Sequence, residues 1–357
     1  MNLTISGSSG ALGVHTVLRA MELGLEWTPL DLRSDSKKGM TVSPHVIHLA
    51  GITHGTEEDL TDGNLALAKK LAGILEAQKK TPEVVTYANT IRSTSDETAY
   101  SRGKRSAGNF LAEWCRQREV VFRNVLVPNL IGPLTDPYRN MVGASIVFEA
   151  FKELRNLKLT DTQFGLGSIQ DAADVICEQK SVGLDIPVRM CSPVELRSIA
   201  ERVNKQMKSG LLPGLRDSLH GSIYEMLAHH WSSSLNPVKF SGIRALDSSQ
   251  REDTAKPTFG KWGVSEKVVS AGGITGSHFR RRSVFTYQLT SGYLESSVRP
   301  AWLNKEESKV RRLLPGDTMV VPVGFCHHFV NTSEAESAFT IFHNGPIDLP
   351  ESIATQC

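Results

Sequence analysis

The amino terminus reads Thr4-Ile5-Ser6-Gly7-Ser8-Ser9-Gly10-Ala11-Leu12-Gly13, in which three glycines at a spacing of three follow a short apolar run. The run predicts a strand over 3–6, and apolar residues at helical spacing predict a helix over 11–23. A glycine turn between a strand and a helix lets the backbone approach a phosphate, which the first N–H groups of the helix bind. This stretch therefore predicts a dinucleotide-binding α/β domain.

The segments that follow continue the alternation of strands and helices. Strands are predicted over 27–32, 46–51, 84–88 and 120–127, and helices over 62–78 and 100–116. Such alternation is typical of a parallel sheet covered by helices on both faces. We expect a Rossmann-type, doubly wound parallel sheet that binds its ligands at the carboxyl ends of the strands.

A tyrosine and a lysine one helical turn apart indicate the chemistry. Tyr100 is the only one of the six tyrosines with a lysine, Lys104, four residues later. On a helix both side chains face the same cleft, where the ammonium stabilises the phenolate and lowers the tyrosine pKa. Thr90, at the end of the preceding strand, would hold the reacting carbonyl oxygen. The three residues predict a carbonyl–carbinol oxidoreductase with a nicotinamide cofactor.

Each of these residues also has a purely structural interpretation. The Tyr100–Lys104 pair can be an exposed contact on a helix, and Thr90 can be a strand-end cap. Asp31 and Arg33, after the second strand, lie where the adenosine ribose is expected. An acid favours the 2′-hydroxyl of NAD and an arginine the 2′-phosphate of NADP, so these two residues leave the choice of cofactor open.

The amino-terminal part resembles an extended short-chain dehydrogenase/reductase of the nucleotide-sugar-modifying type. The resemblance is carried by the glycine turn, Val46–Gly51, Asn64, Thr90, Tyr100-x-x-x-Lys104 and Val127–Pro133. It departs from the family at Ala88-Asn89-Thr90, where three serines are usual, and in the length of the loop over 91–100. The resemblance implies substrate contacts from Asn129 and Arg139. The cofactor contacts it implies are Gly7, Ser9, Gly10, Ala11, Leu12, Gly13, Asp31, Arg33, Leu49, Ala50, Gly51, Asn64, Pro128, Asn129 and Leu130.

The carboxy-terminal part fits the spacing of the two cupin motifs. The second motif is complete, as Gly316-x5-Pro322-x-Gly324-x2-His327-x3-Asn331. The first, Gly272-x5-His278-x-Arg280-x4-Phe285-x6-Gly292, keeps its spacing but has arginine and phenylalanine at two metal-ligand positions. Because a cupin metal site needs three imidazoles and a carboxylate, and Arg280 would repel a cation, we expect no zinc. His278, Arg280 and His327 are then candidate substrate contacts, or simply hydrogen-bonded barrel residues.

The two parts in this order resemble the bifunctional capsular polysaccharide biosynthesis reductases. The resemblance implies a homodimer that uses NADPH, with NADH left open, to reduce the 4-keto group of a UDP-linked 6-deoxy-hexosamine in the UDP-N-acetyl-L-fucosamine pathway. It also implies a cupin that epimerises C3. Two alternatives remain: an epimerase that works without metal, through His278 or His327, and a non-catalytic cupin used for dimerisation or sugar binding, fused to a reductase or epimerase of another nucleotide sugar.

Length and composition frame these expectations. A chain of 357 residues predicts two domains, placed at 1–235, with the substrate-binding part mainly after residue 130, and at 238–357, an all-β jelly roll. The net charge of +2 and the lack of a long apolar run indicate a cytoplasmic protein that binds neither nucleic acid nor a membrane. Five scattered cysteines predict reduced thiols.

Overall fold

The computed structural model describes residues 2–33, 42–95, 97–138, 141–178, 186–209, 213, 217–233, 251–252, 262–302 and 308–344. The chain divides into two compact units. Unit 1 comprises 1–130 and 165–189, and unit 2 comprises 131–164 and 190–357. The predicted domain boundary near 235–238 lies outside the described residues and stays a prediction.

A five-stranded parallel sheet forms the centre of unit 1. Its strands are β1 (Asn2–Ser6), β2 (Glu26–Leu30), β3 (His45–His48), β4 (Val84–Thr90) and β5 (Val121–Val127), in the order β2-β1-β3-β4-β5. Every pairing is parallel, so all the carboxyl ends share one edge. The order reverses between β1 and β3, which is where open α/β sheets bind ligands.

Helices cover both faces of this sheet. They are α1 (Ala11–Glu22), α2 (Glu57–Glu76), the 3-10 helix η1 (Ile91–Thr94), α3 (Ala99–Arg116) and α5 (Ile169–Cys177), with α1 packed against α5 and α2 against α3. Helix α2 begins five residues before the predicted start at 62. The reason is a capping box, in which Thr56 accepts from the Asp59 amide and the Asp59 carboxylate accepts from the Thr56 amide.

The other strands described before residue 192 form a small three-stranded sheet. It contains β6 (Asn129–Ile131), β7 (Phe164–Ser168) and β8 (Val188–Cys191). The segment over 165–189 follows a helix of unit 2 in the chain but returns to unit 1. We did not predict this return.

The described residues of unit 2 contain three helices, α4 (Val142–Lys152), α6 (Pro193–Lys208) and α7 (Ser218–Ser233). Helix α6 has Pro193 in its first turn, and the Ser192 hydroxyl accepts from the Glu195 amide at 3.1 Å. Between α4 and α6, the buried Glu149 carboxylate pairs with the Arg197 guanidinium at 3.3 Å.

The residues described after α7 form mainly β-strands. They are β9 (Arg251–Glu252), β10 (Trp262–Val269), β11 (Ile274–His278), β12 (Phe285–Ser291), β13 (Leu294–Pro300), β14 (Lys309–Leu313), β15 (Thr318–Val321), β16 (Phe325–Val330) and β17 (Ser337–His343). They form one sheet in the order β15-β12-β17-β10-β9 and another in the order β11-β16-β13-β14. Except for the short β9–β10 pair, the pairings are antiparallel. The predicted fold class, a Rossmann-like sheet followed by an all-β cupin-like region, is confirmed.

Two expectations from composition concern membranes and thiols. No helix in the described part of the chain has both the length and the apolar character needed to span a membrane. Cys115, Cys177 and Cys191 are buried free thiols. Cys326, in contrast, is disulfide-bonded, so the expectation that all thiols are reduced is wrong at this position.

Candidate active site

The glycine turn after β1 is shaped for a group that needs close backbone contact. Gly7 has a φ of 74°, and a Cβ at Gly13 would lie 2.1 Å from the Gly7 carbonyl oxygen, so neither position accepts a side chain. Gly10 caps α1 without a side-chain hydrogen bond, and no acid lies in the first turn. The positive end of the helix is therefore open to an anion, and the turn, with Ser9, Ala11 and Leu12, fits a dinucleotide pyrophosphate.

Asp31 and Arg33 form an exposed pair after β2. The Asp31 carboxylate accepts from the Arg33 backbone amide at 2.9 Å and from its Nε at 3.1 Å. The first of these hydrogen bonds, followed by the second, lowers the pKa of Asp31. The Asp31 carboxylate and the Arg33 guanidinium are paired with each other, so neither is committed to a ribose hydroxyl or a phosphate. The structure therefore leaves the choice between NAD and NADP as open as the sequence did.

The loop after β3, which contains Leu49, Ala50 and Gly51, lies beside the glycine turn. The Leu49 amide donates to the Ser6 carbonyl at 3.0 Å, and a Cβ at Gly7 would lie 2.6 Å from the Ala50 nitrogen. Asn64 of α2 donates to the carbonyls of Ile52 and Leu60, both at 2.9 Å, and accepts from the Ile52 amide. The two hydrogen bonds with the Ile52 backbone hold this loop, while the bond to Leu60 lies within α2, so Asn64 is a support for the proposed cofactor site.

Lys104 lies beneath this loop and is almost completely buried, with 4% exposure. Its Nζ donates to the Ala88 carbonyl at 2.5 Å and lies 4.3 Å from the centre of the Tyr87 ring. A Cβ at Gly51 would be 3.8 Å from the same Nζ. Burial lowers the pKa of Lys104 to about 7, so the amine changes its charge near neutral pH.

Tyr100 lies one turn before Lys104 and is half-buried. Burial raises its pKa, and the Arg92 guanidinium opposes that rise. The expectation that Lys104 lowers the Tyr100 pKa is therefore wrong. The physical reason is that the Lys104 ammonium is itself desolvated and is directed to Ala88 and Tyr87. Tyr100 is a protonated phenol at neutral pH.

Thr90 ends β4 and is buried. Its hydroxyl oxygen accepts from the Arg92 amide at 3.3 Å, which caps η1. The strand-end cap that we considered as an alternative is thus present. It uses an oxygen lone pair and leaves the hydroxyl proton available for donation, so it is compatible with a role in holding a carbonyl oxygen.

The segment Pro128-Asn129-Leu130 leads from β5 into β6. Asn129 is exposed and donates from its side-chain amide to the Gly165 carbonyl at 3.2 Å, which fixes the orientation of the amide. Arg139, the other predicted substrate contact of this region, lies outside the described residues.

Sequence reasoning missed three side chains near Tyr100 and Lys104. Tyr87 and His48 are stacked, with 5.5 Å between ring centroids, and Arg92 acts on the acidity of Tyr100. Tyr87 and His48 are polar residues inside strands predicted to be buried, and that contradiction was the available signal. No signal pointed to Arg92.

In unit 2, the predicted contacts His278, Arg280 and His327 come together as expected from the cupin frame. The His278 and His327 rings meet edge to face at 4.6 Å. His278 Nδ1 lies 3.1 Å from the Gly276 carbonyl, which can only accept, so Nε2 is the acceptor for Arg280 at 3.4 Å. Burial, followed by the charge of Arg280, lowers the pKa of His278 to about 4. His278 is therefore a neutral base.

Two aromatic side chains complete this cluster. The Tyr287 hydroxyl and His327 Nε2 share a hydrogen bond of 2.6 Å, and burial holds the pKa of His327 well below its ordinary value. Arg280 lies over the Phe285 ring, 4.0 Å from its centre. Phe285 and Arg280 thus fill two of the positions where a metal-binding cupin has ligands.

These residues do not fit a metal site. Within the described residues no three His, Cys, Asp or Glu side chains are grouped so that they could hold a metal ion. The cluster instead contains a cation (Arg280), a neutral base (His278) and the Tyr287–His327 phenol–imidazole pair. Such groups can bind an anion or transfer a proton.

Unit 2 also contains a pocket of about 510 Å³ in the segment after residue 130. It is lined by Leu134, Thr135, Asp136, Pro137, Tyr138, Phe148, His229 and His230. Burial lowers the pKa of both histidines to about 4, so the pocket presents neutral imidazoles and aromatic rings. Such a lining is suited to a planar or sugar ring.

The sequence matches no protein-family model and no curated protein. Solved structures do resemble it. The capsular polysaccharide assembling protein CapF from Staphylococcus aureus aligns over 98% of this chain and 97% of its own, with a TM-score of 0.56 and 16% identity. The UDP-N-acetylglucosamine 4-epimerase from Bacillus cereus aligns over 66% of this chain and 98% of its own, with a TM-score of 0.51 and 16% identity.

The enzyme WbmF from Bordetella bronchiseptica, solved in complex with NAD+ and UDP, is a further structural neighbour. It aligns over 65% of this chain and 92% of its own, with a TM-score of 0.50 and 14% identity. At these identities the likeness concerns the fold. It shows that the two-part architecture occurs in CapF over nearly the whole length of the chain, and that a part of it occurs in the two shorter enzymes.

Proposed function

We propose that this protein is a nucleotide-sugar oxidoreductase, and specifically an NADPH-dependent reductase of the 4-keto group of a UDP-linked 6-deoxy-hexosamine. The proposal is supported by the placement of three residues near the sheet edge that also holds the glycine turn. Thr90 ends β4, two residues after the Ala88 carbonyl that Lys104 contacts, and Tyr100 lies one turn before Lys104 on α3. The likeness of fold to CapF, to a UDP-sugar epimerase and to an enzyme crystallised with NAD+ and UDP supports the substrate class. The same resemblance supports a role in surface polysaccharide synthesis.

The nicotinamide cofactor supplies the hydride when it is bound. The glycine turn and the loop over 49–51 would hold it, through backbone groups at the amino end of α1. Thr90 donates its hydroxyl hydrogen to the ketone oxygen and orients it. Tyr100, a protonated phenol, gives its proton to that oxygen as the carbon is reduced, which leaves a phenolate.

Lys104 is placed to respond to a bound anion. With its pKa near 7, the amine gains a proton readily when the negative charge of a cofactor, or of the Tyr100 phenolate, comes near. Its ammonium then offsets that charge. Uptake of one proton from the solvent returns Tyr100 to the phenol and completes the cycle.

The test is to incubate the protein with NADPH and a UDP-4-keto-6-deoxy-hexosamine and to follow cofactor oxidation by absorbance. Stoichiometric oxidation with formation of a 4-hydroxy sugar, identified by NMR, is the expected result. Conversion of a UDP-sugar without net cofactor oxidation would contradict the reductase and favour the alternative, an epimerase of another nucleotide sugar.

A second proposal concerns the cupin-like part of unit 2, where His278 is a neutral base beside Arg280 and near the Tyr287–His327 pair. We propose that this cluster removes and returns the proton on C3, beside the ketone, without metal. The rival is a module for sugar binding or dimerisation, in which Arg280 binds a phosphate. Deuterium exchange at C3 in heavy water distinguishes the two, because only the epimerase catalyses it.

The same proposal predicts substoichiometric zinc or none in purified protein, because two imidazoles hold a divalent cation weakly and Arg280 repels it. Elemental analysis tests this directly. About one zinc per chain, lost together with activity on His278→Ala, would overturn it.

A further inference from the structure

The ammonium of Lys104 is held by an aromatic side chain that sequence reasoning did not assign. Tyr87 presents its ring face to Nζ at 4.3 Å, and its hydroxyl donates to the Lys104 backbone carbonyl at 3.3 Å. One tyrosine thus contacts both ends of the lysine. Because Lys104 is almost completely out of water, a cation–π contact is worth more here than at an exposed site.

The Tyr87 ring also stacks on a second side chain. His48 of β3 stacks on it with ring centroids 5.5 Å apart and planes 23° apart. His48 Nδ1 in turn lies 2.6 Å from the Ser6 hydroxyl, at the end of β1. A continuous stack therefore leads from the strand that enters the glycine turn to the amine.

We propose that Tyr87 is a positioning residue for Lys104: its ring face, held by His48, keeps the ammonium beside Gly51, where the cofactor would bind. This inference rests on the proposed oxidoreductase function. It assigns to Tyr87 no contact with substrate or cofactor, and it explains a buried tyrosine in a strand otherwise suited to apolar residues.

The charges around Lys104 show why the ring matters. The neighbours on the adjoining elements are His48 of β3, Tyr87 of β4 and Tyr100 of α3, with Arg92 of η1 acting on Tyr100. Burial lowers the pKa of His48 to about 3 and raises the pKa values of both tyrosines, so these three are neutral at pH 7. The Tyr87 π face and the Ala88 carbonyl are therefore the contacts by which these neighbours favour the charged amine.

Three substitutions separate the ring from the hydroxyl and from simple bulk. Tyr87→Phe keeps the π face and loses the hydroxyl, whereas Tyr87→Leu and Tyr87→Met keep apolar bulk and lose the π face. The pKa of Lys104 is measured in 13C-lysine-labelled protein from the chemical shift of its Cε, assigned by its absence in Lys104→Arg. Circular dichroism confirms that each variant folds.

We expect Tyr87→Phe to leave the Lys104 pKa nearly unchanged, and Tyr87→Leu and Tyr87→Met to lower it by roughly one unit, the size of a desolvated cation–π contact. NADPH affinity should follow, with the pH at which binding weakens moving down in the Leu and Met variants alone. An equal shift in all three variants, or none in any, would overturn the inference. If only Tyr87→Leu unfolds, Tyr87→Met decides.

The design separates this inference from the proposed function. If the wild-type protein binds neither NADPH nor NADH, the oxidoreductase proposal fails, while the NMR titration still tests the effect of Tyr87 on Lys104. If the wild type binds NADPH with a pH-dependent affinity and the variants do not differ, the role of Tyr87 fails and the oxidoreductase proposal stands.

Discussion

At the scale of single residues, burial sets the chemistry of the candidate active site. It raises the pKa of Tyr100 and lowers that of Lys104 to about 7, which makes the first a proton donor and the second an amine that responds to nearby charge. A residue type names the possible chemistry, whereas its surroundings decide the protonation state in which it works.

Tyr100→Phe should reduce turnover by about a hundredfold or more, the usual size of the loss of a general acid. NADPH affinity and the unfolding temperature should stay the same, because the phenol is proposed to act on the substrate oxygen. Initial rates by absorbance and fluorescence titration measure both. Tyr293→Phe, a half-buried tyrosine of unit 2, is the matched control, and full reductase activity in Tyr100→Phe would show that the site is misassigned.

Arg33→Ala should narrow a preference for NADPH over NADH, because a guanidinium–phosphate contact is charge-assisted. The Asp31–Arg33 ion pair allows a second variant to test the same contact. Asp31→Ala frees the guanidinium and removes a negative charge, so it should widen the same preference. Dissociation constants for both cofactors give the result, and equal affinities in the native protein would rule out this basis for the choice.

At the scale of elements, the turn between β1 and α1 depends on the absence of side chains. A Cβ at Gly13 would meet the Gly7 carbonyl oxygen and Ser8, which are backbone groups that cannot move without opening the turn. At Gly73, inside α2, a Cβ would meet nothing within 4 Å. Alanine at Gly13 therefore tests the cost of a steric clash, and alanine at Gly73 tests the gain in helix propensity where no clash occurs.

Gly13→Ala should destabilise unit 1 and weaken NADPH binding at least tenfold, because the turn must open to admit the methyl group. Gly73→Ala should instead stabilise the protein by about 1 kcal/mol, the helix-propensity gain of alanine over glycine. Thermal unfolding and cofactor titration of both variants make the comparison. Unchanged binding in Gly13→Ala would mean that the cofactor does not lie on this turn.

At the scale of the whole molecule, neutral buried histidines link stability to pH. Burial is the main cause that lowers the pKa of His45, His229, His230 and His278 to about 4, and that of His48 to about 3, from the ordinary value of 6.5. Their folded-state pKa values lie below the unfolded value, so their contribution to stability is fully present above pH 6.5. It is lost as the pH falls towards 4, because the unfolded chain takes up protons first.

The free energy of unfolding should therefore fall between pH 6.5 and 4 by about 1.4 kcal/mol per pH unit for each histidine that stays neutral in the fold. Urea unfolding at pH 7, 6 and 5 measures the slope. His48→Asn should reduce that slope by about one proton in unit 1, whatever its effect on stability at pH 7. A stability that is flat from pH 7 to 5 would contradict the burial of neutral imidazoles.

The sequence by itself determined the periodic elements and the turns between them. The apolar runs and helical spacings predicted the parallel sheet, with most helices and strands within a few residues of their observed ends. The spacing of the cupin motifs could be recognised because Gly272, Gly292, Gly316 and Gly324 all have positive φ angles. This backbone conformation is a local requirement that favours glycine, so it is visible in the sequence. The extension of α2 to Glu57 was missed, although its capping box was also local.

Only the tertiary structure decided what surrounds each functional group. The contacts of Lys104 with Tyr87, with the Ala88 carbonyl and with Gly51 join residues 16 or more positions apart, and the return of 165–189 to unit 1 joins still more distant segments. A pKa follows from the solvent and charges around a group, and these are fixed by long-range packing. Spacing alone therefore predicted that Lys104 follows Tyr100 by one helical turn, but neither the effect of Arg92 nor the protonation states.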